Sequence, residues 1–209
     1  MEIKKVLVIG AGQMGSGIAQ VMAQGGLEVM IRDIKEEFVE KGIAGIAKRL
    51  ARSVEKERIT AEEQEAILTR ISGTVELGST ACDVDLVVEA AIENEKIKKD
   101  IFQQLDELCP EHTILASNTS SLPLTMIASF TKRPQQVIGM HFFNPAPVMK
   151  LVEVIKGLAT SDATTASVKA LAEKLGKTPV EVNDAPGFVG NRIVIPMINE
   201  AVFTLMEGV

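Results

Sequence analysis

A glycine triplet at the end of an apolar run constrains this chain more than any other feature. Residues 5–10 (KVLVIG) read as a strand buried on both faces. The run ends in Gly10-Ala-Gly12-Gln13-Met14-Gly15, and a helical pattern over residues 13–24 follows without a break. Residues 28–33 (EVMIRD) form a second buried strand. A strand, a G-x-G-x-x-G turn, a helix and a further strand make a βαβ unit, and its loop has the form that cradles a dinucleotide pyrophosphate. Gly10 permits the tight turn, Gly12 lets backbone N–H groups approach the phosphates, and Gly15 lets the helix abut the strand. Gln13 and Met14 open the helix, whose unpaired N–H groups and dipole favour an anion.

Asp33 ends the second strand, 18 residues after Gly15. A carboxylate there accepts hydrogen bonds from ribose hydroxyls and repels a 2′-phosphate, which favours NAD over NADP. Arg32 weighs the other way, since a guanidinium pairs with a 2′-phosphate, so NADP stays open. The plain alternative is a glycine-rich turn without a ligand and an aspartate that only caps.

The rest of the chain continues the alternation. Residues 35–54 and 60–70 are a long helix pair, expected to project from the sheet, the second opened by the capping box Thr60-Ala-Glu-Glu63. Strands are expected at 71–75, 85–89, 113–117, 137–141, 151–156 and 179–182. Helices are expected at 94–109, at 123–129 with Ser120 or Ser121 as cap, and at 162–175. The fold class is α/β, a Rossmann-type doubly wound sheet. After a linker at 184–187, residues 187–209 read as one helix interrupted at Pro196. It is apolar nearly all round and needs a covering surface.

Composition narrows the function. The formal net charge is −6, a poor basis for the phosphate grip of nucleic-acid binding. Two cysteines without a C-x-x-C pair suggest neither a metal site nor a disulfide framework. The N-terminus shows no signal-peptide pattern, and no apolar run is long enough to span a membrane. The expectation is a cytoplasmic protein.

Of the two histidines, His112 reads as a solvated turn residue. His141 closes a strand, and the carboxyl ends of strands face the ligand crevice of an open α/β sheet. An imidazole there is placed to act as a general base. Glu153 lies in the next strand between Val152 and Val154. It either orients the imidazole or faces solvent by simple alternation. Ser120 follows another strand end and is either a site residue or a helix cap. Asn191 lies one turn into the final helix, either functional or on the surface.

The segments VIGAGQMGSGIAQ, DLVVEAAIENEKIKKDIF, ILASNTSS, IGMHFFNPAPVMKLVEVI and DAPGFVGNRI resemble the 3-hydroxyacyl-CoA dehydrogenases, in particular the bacterial 3-hydroxybutyryl-CoA group. The resemblance covers essentially the whole chain, and HFFNP with GFVGNR is far more specific than the glycine loop. It implies an NAD(P)-dependent oxidoreductase of fatty acid and butanoate metabolism. His141 would be the catalytic base and Glu153 its partner. Ser120 and Asn191 would contact the substrate, with Ser120 also near the nicotinamide. Dinucleotide contacts would come from Gly10, Gly12, Gln13, Met14, Gly15, Asp33, Glu93, Lys98 and Asn144. Arg52 and Lys56 are the looser candidates for the coenzyme A phosphates.

Two other functions stay open: a dehydrogenase of a small free 3-hydroxy acid, and a dinucleotide-binding protein without turnover. The expected division is a dinucleotide-binding domain at 1–185 and, at 186–209, the start of a helical domain otherwise absent from this chain. Family members use that domain to form a homodimer.

Overall fold

The computed structural model describes residues 2–78 and 82–209. The apolar runs become strands because consecutive side chains alternate between two covered faces. In β1 (Lys5–Ile9), Val6 and Val8 join one core cluster while Leu7 and Ile9 join the other. Seven further strands follow among the described residues: β2 (Glu28–Arg32), β3 (Ile71–Thr74), β4 (Leu86–Glu89), β5 (Ile114–Ser117), β6 (Val137–Phe142), β7 (Leu151–Lys156) and β8 (Thr178–Asn183). They form one sheet in the order β3-β2-β1-β4-β5-β6-β7-β8. Every pairing is parallel except β6 with β7, which is antiparallel and sets His141 opposite Glu153.

Helices cover both faces. On one face lie α1 (Gln13–Gln24), α2 (Glu36–Glu55), α3 (Ala61–Thr69) and α6 (Asp162–Lys174), with Ile18, Met22, Ile46, Leu50 and Leu171 packed into its core. The helix pair α2–α3 packs on α1 and crosses over to the edge strand β3. On the other face lie α4 (Glu95–Leu108) and α5 (Leu124–Ala128), carrying Phe102, Leu105, Leu124 and Ile127. A fully buried side chain such as Phe102 contributes about 1.5–3 kcal/mol.

The capping box on α3 forms as the sequence implies: Glu63 N–H donates to Thr60 Oγ1 at 3.2 Å and Thr60 N–H to Glu63 Oε2 at 2.8 Å. The cap expected for α5 does not form. Its N-cap position is Pro123, and neither Ser120 nor Ser121 caps it. Asp184 serves instead from the distant linker, accepting from Leu124 N–H at 3.0 Å, Thr125 N–H at 2.8 Å and Thr125 Oγ1 at 2.6 Å. A carboxylate satisfies several orphan donors at once, which a hydroxyl placed before a proline does not reach.

The last helix, α7 (Gly190–Met206), is a second correction, since it continues through Pro196 instead of breaking there. A proline removes one donor from a helix but leaves the flanking bonds able to form. None of its residues is buried, and Ile193, Ile195 and Met197 are each about 60% exposed.

Candidate active site

The carboxyl ends of β1, β4, β5 and β6 meet at one edge of the sheet. There the strands stop being apolar: Glu89 pairs in register with Ile9 and Ser117, and His141 follows two residues after Gly139, the partner of Ser117. A crevice of about 680 Å³ opens at this edge above β1, lined by the glycine loop, Asp33, Arg49 and residues 90–92.

The glycine loop has the shape a dinucleotide needs. Gly10 has φ +99°, and a Cβ there would lie 2.5 Å from the Ala90 carbonyl oxygen. A Cβ on Gly15 would collide with the Gly10 carbonyl, so α1 approaches the strand end only because Gly15 has no side chain. A Cβ on Gly12 would meet no atom within 4 Å, so this residue faces open space. No side chain caps α1, which leaves its first N–H groups, including those of Gln13 and Met14, for an anion. Asp33 is fixed by its own neighbourhood: Ala11 N–H donates to Oδ2 and Ile34 N–H to Oδ1, each at 2.7 Å. The chemistry of these donors fits a pyrophosphate and a ribose. Gln13 Nε2 donates to Asn144 Oδ1 at 3.1 Å, which joins the glycine loop to the segment after His141.

Glu93 and Lys98 also belong to this edge. Lys98 is 1% exposed, and its ammonium lies 2.7 Å from Glu89 Oε1 and 3.3 Å from Glu93 Oε2. Glu93 Oε1 accepts from Ser120 N–H and Ser121 N–H, each at 3.2 Å, from Ser121 Oγ at 2.8 Å, and from the Thr119 hydroxyl. Burial raises the Glu93 pKa. The Thr119 and Ser121 hydroxyls and the Lys98 charge outweigh it and hold the carboxyl below its ordinary 4.5.

The second half of the site lies at β6 and β7. His141 Nδ1 is 2.8 Å from Glu153 Oε2, and both side chains are buried. The antiparallel register makes this contact, and it settles the choice for Glu153: the carboxylate faces the imidazole. A carboxylate only accepts, which assigns the ring proton to Nδ1. Among the described residues every buried side-chain nitrogen or oxygen has a partner. Nε2 of His141 has no hydrogen-bond partner among the described residues, so it is not wholly sealed in the core. Phe143 packs beside the imidazole with ring centroids 4.6 Å apart, and Phe188 at 5.8 Å.

Glu153 does a second job that its sequence position does not announce. Its Oε1 accepts from Val189 N–H at 3.0 Å and Gly190 N–H at 2.8 Å, the start of α7. That docking carries Asn191 to Ser120, whose carbonyl accepts from Asn191 Nδ2 at 3.3 Å. Asn118 Oδ1 accepts from Phe142 N–H at 2.8 Å and ties the Ser120 loop to the His141 strand. His141, Glu153, Ser120 and Asn191 are thus linked from β6, β7, the loop after β5 and α7.

Arg52 and Lys56 are not brought in. Both are exposed at the end of α2, and neither lines the crevice. Arg49, one turn earlier, does line it. Its Nε donates to Gln20 Oε1 at 2.7 Å, and burial lowers the pKa of its guanidinium. Position 49 continues the stripe of Ile46 and Leu50 toward α1, and that spacing was the available signal. His112 is an exposed turn residue, as its sequence position implies. No group of three metal-ligating side chains occurs among the described residues.

Residues 5–185 match the family described as "3-hydroxyacyl-CoA dehydrogenase, NAD binding domain". A protein of Bacillus subtilis named probable 3-hydroxybutyryl-CoA dehydrogenase is 57% identical over 209 residues, covering 100% of this chain and 72% of the relative. The 3-hydroxybutyryl-CoA dehydrogenase of Clostridioides difficile is 50% identical over 98% of the chain and 73% of its own length. The crystal structure of the (S)-3-hydroxybutyryl-CoA dehydrogenase of Ralstonia eutropha superposes with a TM-score of 0.96 at 48% identity, covering 99% of this chain and 73% of that one. With the glycine loop, the buried histidine–glutamate pair and this likeness along nearly its whole length, the chain belongs to the 3-hydroxyacyl-CoA dehydrogenase family.

Proposed function

We propose that this chain transfers hydride between NAD(H) and C3 of a short-chain 3-hydroxyacyl-CoA, such as 3-hydroxybutyryl-CoA, with His141 as the general base. The observation that carries this reading is the His141–Glu153 pair, 2.8 Å apart and buried, with Nε2 left without a partner among the described residues. Bound NAD(H) supplies the hydride acceptor or donor. His141 takes the hydroxyl proton at Nε2, and Glu153 holds the ring and stabilises its cationic form. Asn191 and Ser120 present polar atoms for the C3 oxygen.

The glycine loop and α1 hold the pyrophosphate, Asp33 the adenosine ribose, and Glu93 and Asn144 line the nicotinamide side. The fixed Asp33 carboxylate supports NAD over NADP. Arg52 and Lys56 reach the coenzyme A phosphates only if the ligand extends over the end of α2. Residues 1–185 act as the dinucleotide-binding unit, and residues 186–209 form a helical segment whose apolar surface supports association with a second copy. No helix among the described residues is long and apolar enough to cross a membrane. The free thiols of Cys82 and Cys109 fit a reducing, cytoplasmic setting.

The test is turnover of acetoacetyl-CoA, followed at the reduced-nicotinamide absorbance, with NADH and with NADPH. His141→Ala is expected to lower kcat about 10²–10⁴-fold with little change in NADH affinity. Unchanged turnover removes His141 from the base role. Turnover of free acetoacetate as fast as of the thioester removes coenzyme A from the substrate.

A further inference from the structure

The buried Lys98–Glu89 ion pair has a member with no part in the reaction just described. Glu89 closes β4 and is 0% exposed. A carboxylate in that position is costly unless every lone pair is used. Here four bonds use them: Ala91 N–H to Oε1 at 2.7 Å, Lys98 Nζ to Oε1 at 2.7 Å and to Oε2 at 2.8 Å, and Ser117 Oγ to Oε2 at 2.6 Å.

These bonds lead to the crevice wall at Ala91 and to the loop that carries Ser120. The Ala91 bond fixes the turn after β4, and the neighbouring Ala90 carbonyl is the atom Gly10 must clear. The Ser117 hydroxyl also accepts from Thr119 N–H at 3.2 Å, at the root of the Ser120 loop. The Lys98 ammonium is shared with Glu93, and Glu93 gathers the N–H groups of Ser120 and Ser121. Lys98 sits between two carboxylates, one sealed and one partly open, and its charge divides between them. With Glu89 in place, Glu93 keeps an oxygen free for the loop. Without that negative charge, Lys98 has only Glu93 to pair with and draws it away from the loop. Stability alone does not call for this arrangement, because apolar side chains of similar volume usually stabilise a core at least as well as a buried ion pair.

We propose that Glu89 is a positioning residue for the hydride transfer: through Lys98 and Glu93 it fixes residues 118–121, and with them Ser120, against the reacting atoms. The inference rests on the reading of this site as a dehydrogenase centre.

The test compares Glu89→Gln, and Glu89→Gln with Lys98→Met, against the unsubstituted chain. The readouts are thermal stability, NADH affinity by nicotinamide fluorescence, and steady-state turnover of acetoacetyl-CoA across pH. Glutamine keeps the shape and an acceptor but removes the charge. A displacement near 1 Å at a reacting group costs about 10²-fold. The expected kcat per folded molecule therefore falls about 10–100-fold, NADH binding weakens several-fold, and the pH profile stays in place because the His141–Glu153 pair is untouched. The double variant removes the stranded cation, so stability recovers while kcat stays low. If Glu89→Gln alone does not fold, a wild-type kcat in the double variant still overturns the proposal. Wild-type kcat and NADH affinity in folded Glu89→Gln, or recovery of kcat together with stability in the double variant, overturns the proposal. An unsubstituted chain that neither binds NADH nor turns over acetoacetyl-CoA overturns the dehydrogenase reading itself, and the proposal with it.

Discussion

Replacing Glu153 by glutamine poses a hydrogen-bonding problem with only two solutions, and their energies decide which loss is seen. The carboxylate offers two acceptor oxygens to three donors: His141 Nδ1–H on Oε2, and Val189 N–H and Gly190 N–H on Oε1. A glutamine has one acceptor oxygen and one NH2 that only donates. If its oxygen faces the imidazole, the NH2 confronts two backbone N–H groups at the start of α7. Leaving those donors without an acceptor costs about 1–3 kcal/mol each. If its oxygen faces α7, the imidazole needs only to move its proton from Nδ1 to Nε2. The second arrangement wins, and it puts a proton on the nitrogen that must accept one.

Glu153→Gln is therefore expected to unfold within about 1 kcal/mol of the parent, since both helix bonds survive. Its kcat for oxidation of 3-hydroxybutyryl-CoA, the direction in which Nε2 takes the proton, is expected to fall about 10²–10⁴-fold. Urea unfolding followed by circular dichroism gives the first quantity, and initial rates at saturating NAD give the second. Nitrogen-15 NMR of the imidazole reports the tautomer directly. Stability several kcal/mol below the parent, with kcat per folded molecule within a factor of ten, would refute this accounting. So would a ring proton still on Nδ1.

Two further outcomes follow from the same geometry. Asp184→Ala removes three hydrogen bonds from the start of α5 and orphans two backbone N–H groups, and it should cost about 2–4 kcal/mol, read as a lower urea midpoint. The Glu93 carboxyl is held below its ordinary 4.5, so the stability and loop order it provides are fully present above that value and fade as acid protonates it in the folded state. NADH affinity measured from pH 6 downward should fall below about pH 4.5, and Glu93→Gln should flatten that limb; a limb of unchanged steepness in the variant assigns it to another group.

Much of the fold was legible because parallel strands covered on both faces write themselves as unbroken apolar runs. KVLVI, LVVE and ILAS each proved to be a central strand with both faces covered. The dinucleotide loop was legible for a related reason, since its glycines meet steric demands that recur wherever a helix abuts a strand end. What stayed hidden depends on contacts distant in sequence. The cap of α5 comes from Asp184, some sixty residues away, while nearby serines offered a local answer that Pro123 defeats. Glu153 was visible as a carboxylate among valines, but its grip on α7 spans thirty-six residues. Glu89 read only as the last residue of a strand, and its meaning emerges when Lys98 folds back over it. Pro196 suggested a break because proline rules describe one lost donor, whereas α7 as a whole retains the rest.

The single antiparallel pairing in the sheet carries a consequence for how this chain can change. Side chains along β7 alternate between faces, so a slip of one position against β6 would send Glu153 to the far side and bring a valine before the imidazole. The alignment of acid and base is thus guarded by the backbone ladder and by the burial of Val152 and Val154, in addition to the two N–H groups of α7 that hold Glu153. Lengthening the hairpin loop at exposed Val148, away from Phe143 and Asn144, should be tolerated where the ladder keeps step. A deletion inside β7 itself should extinguish chemistry while leaving a dinucleotide still able to bind.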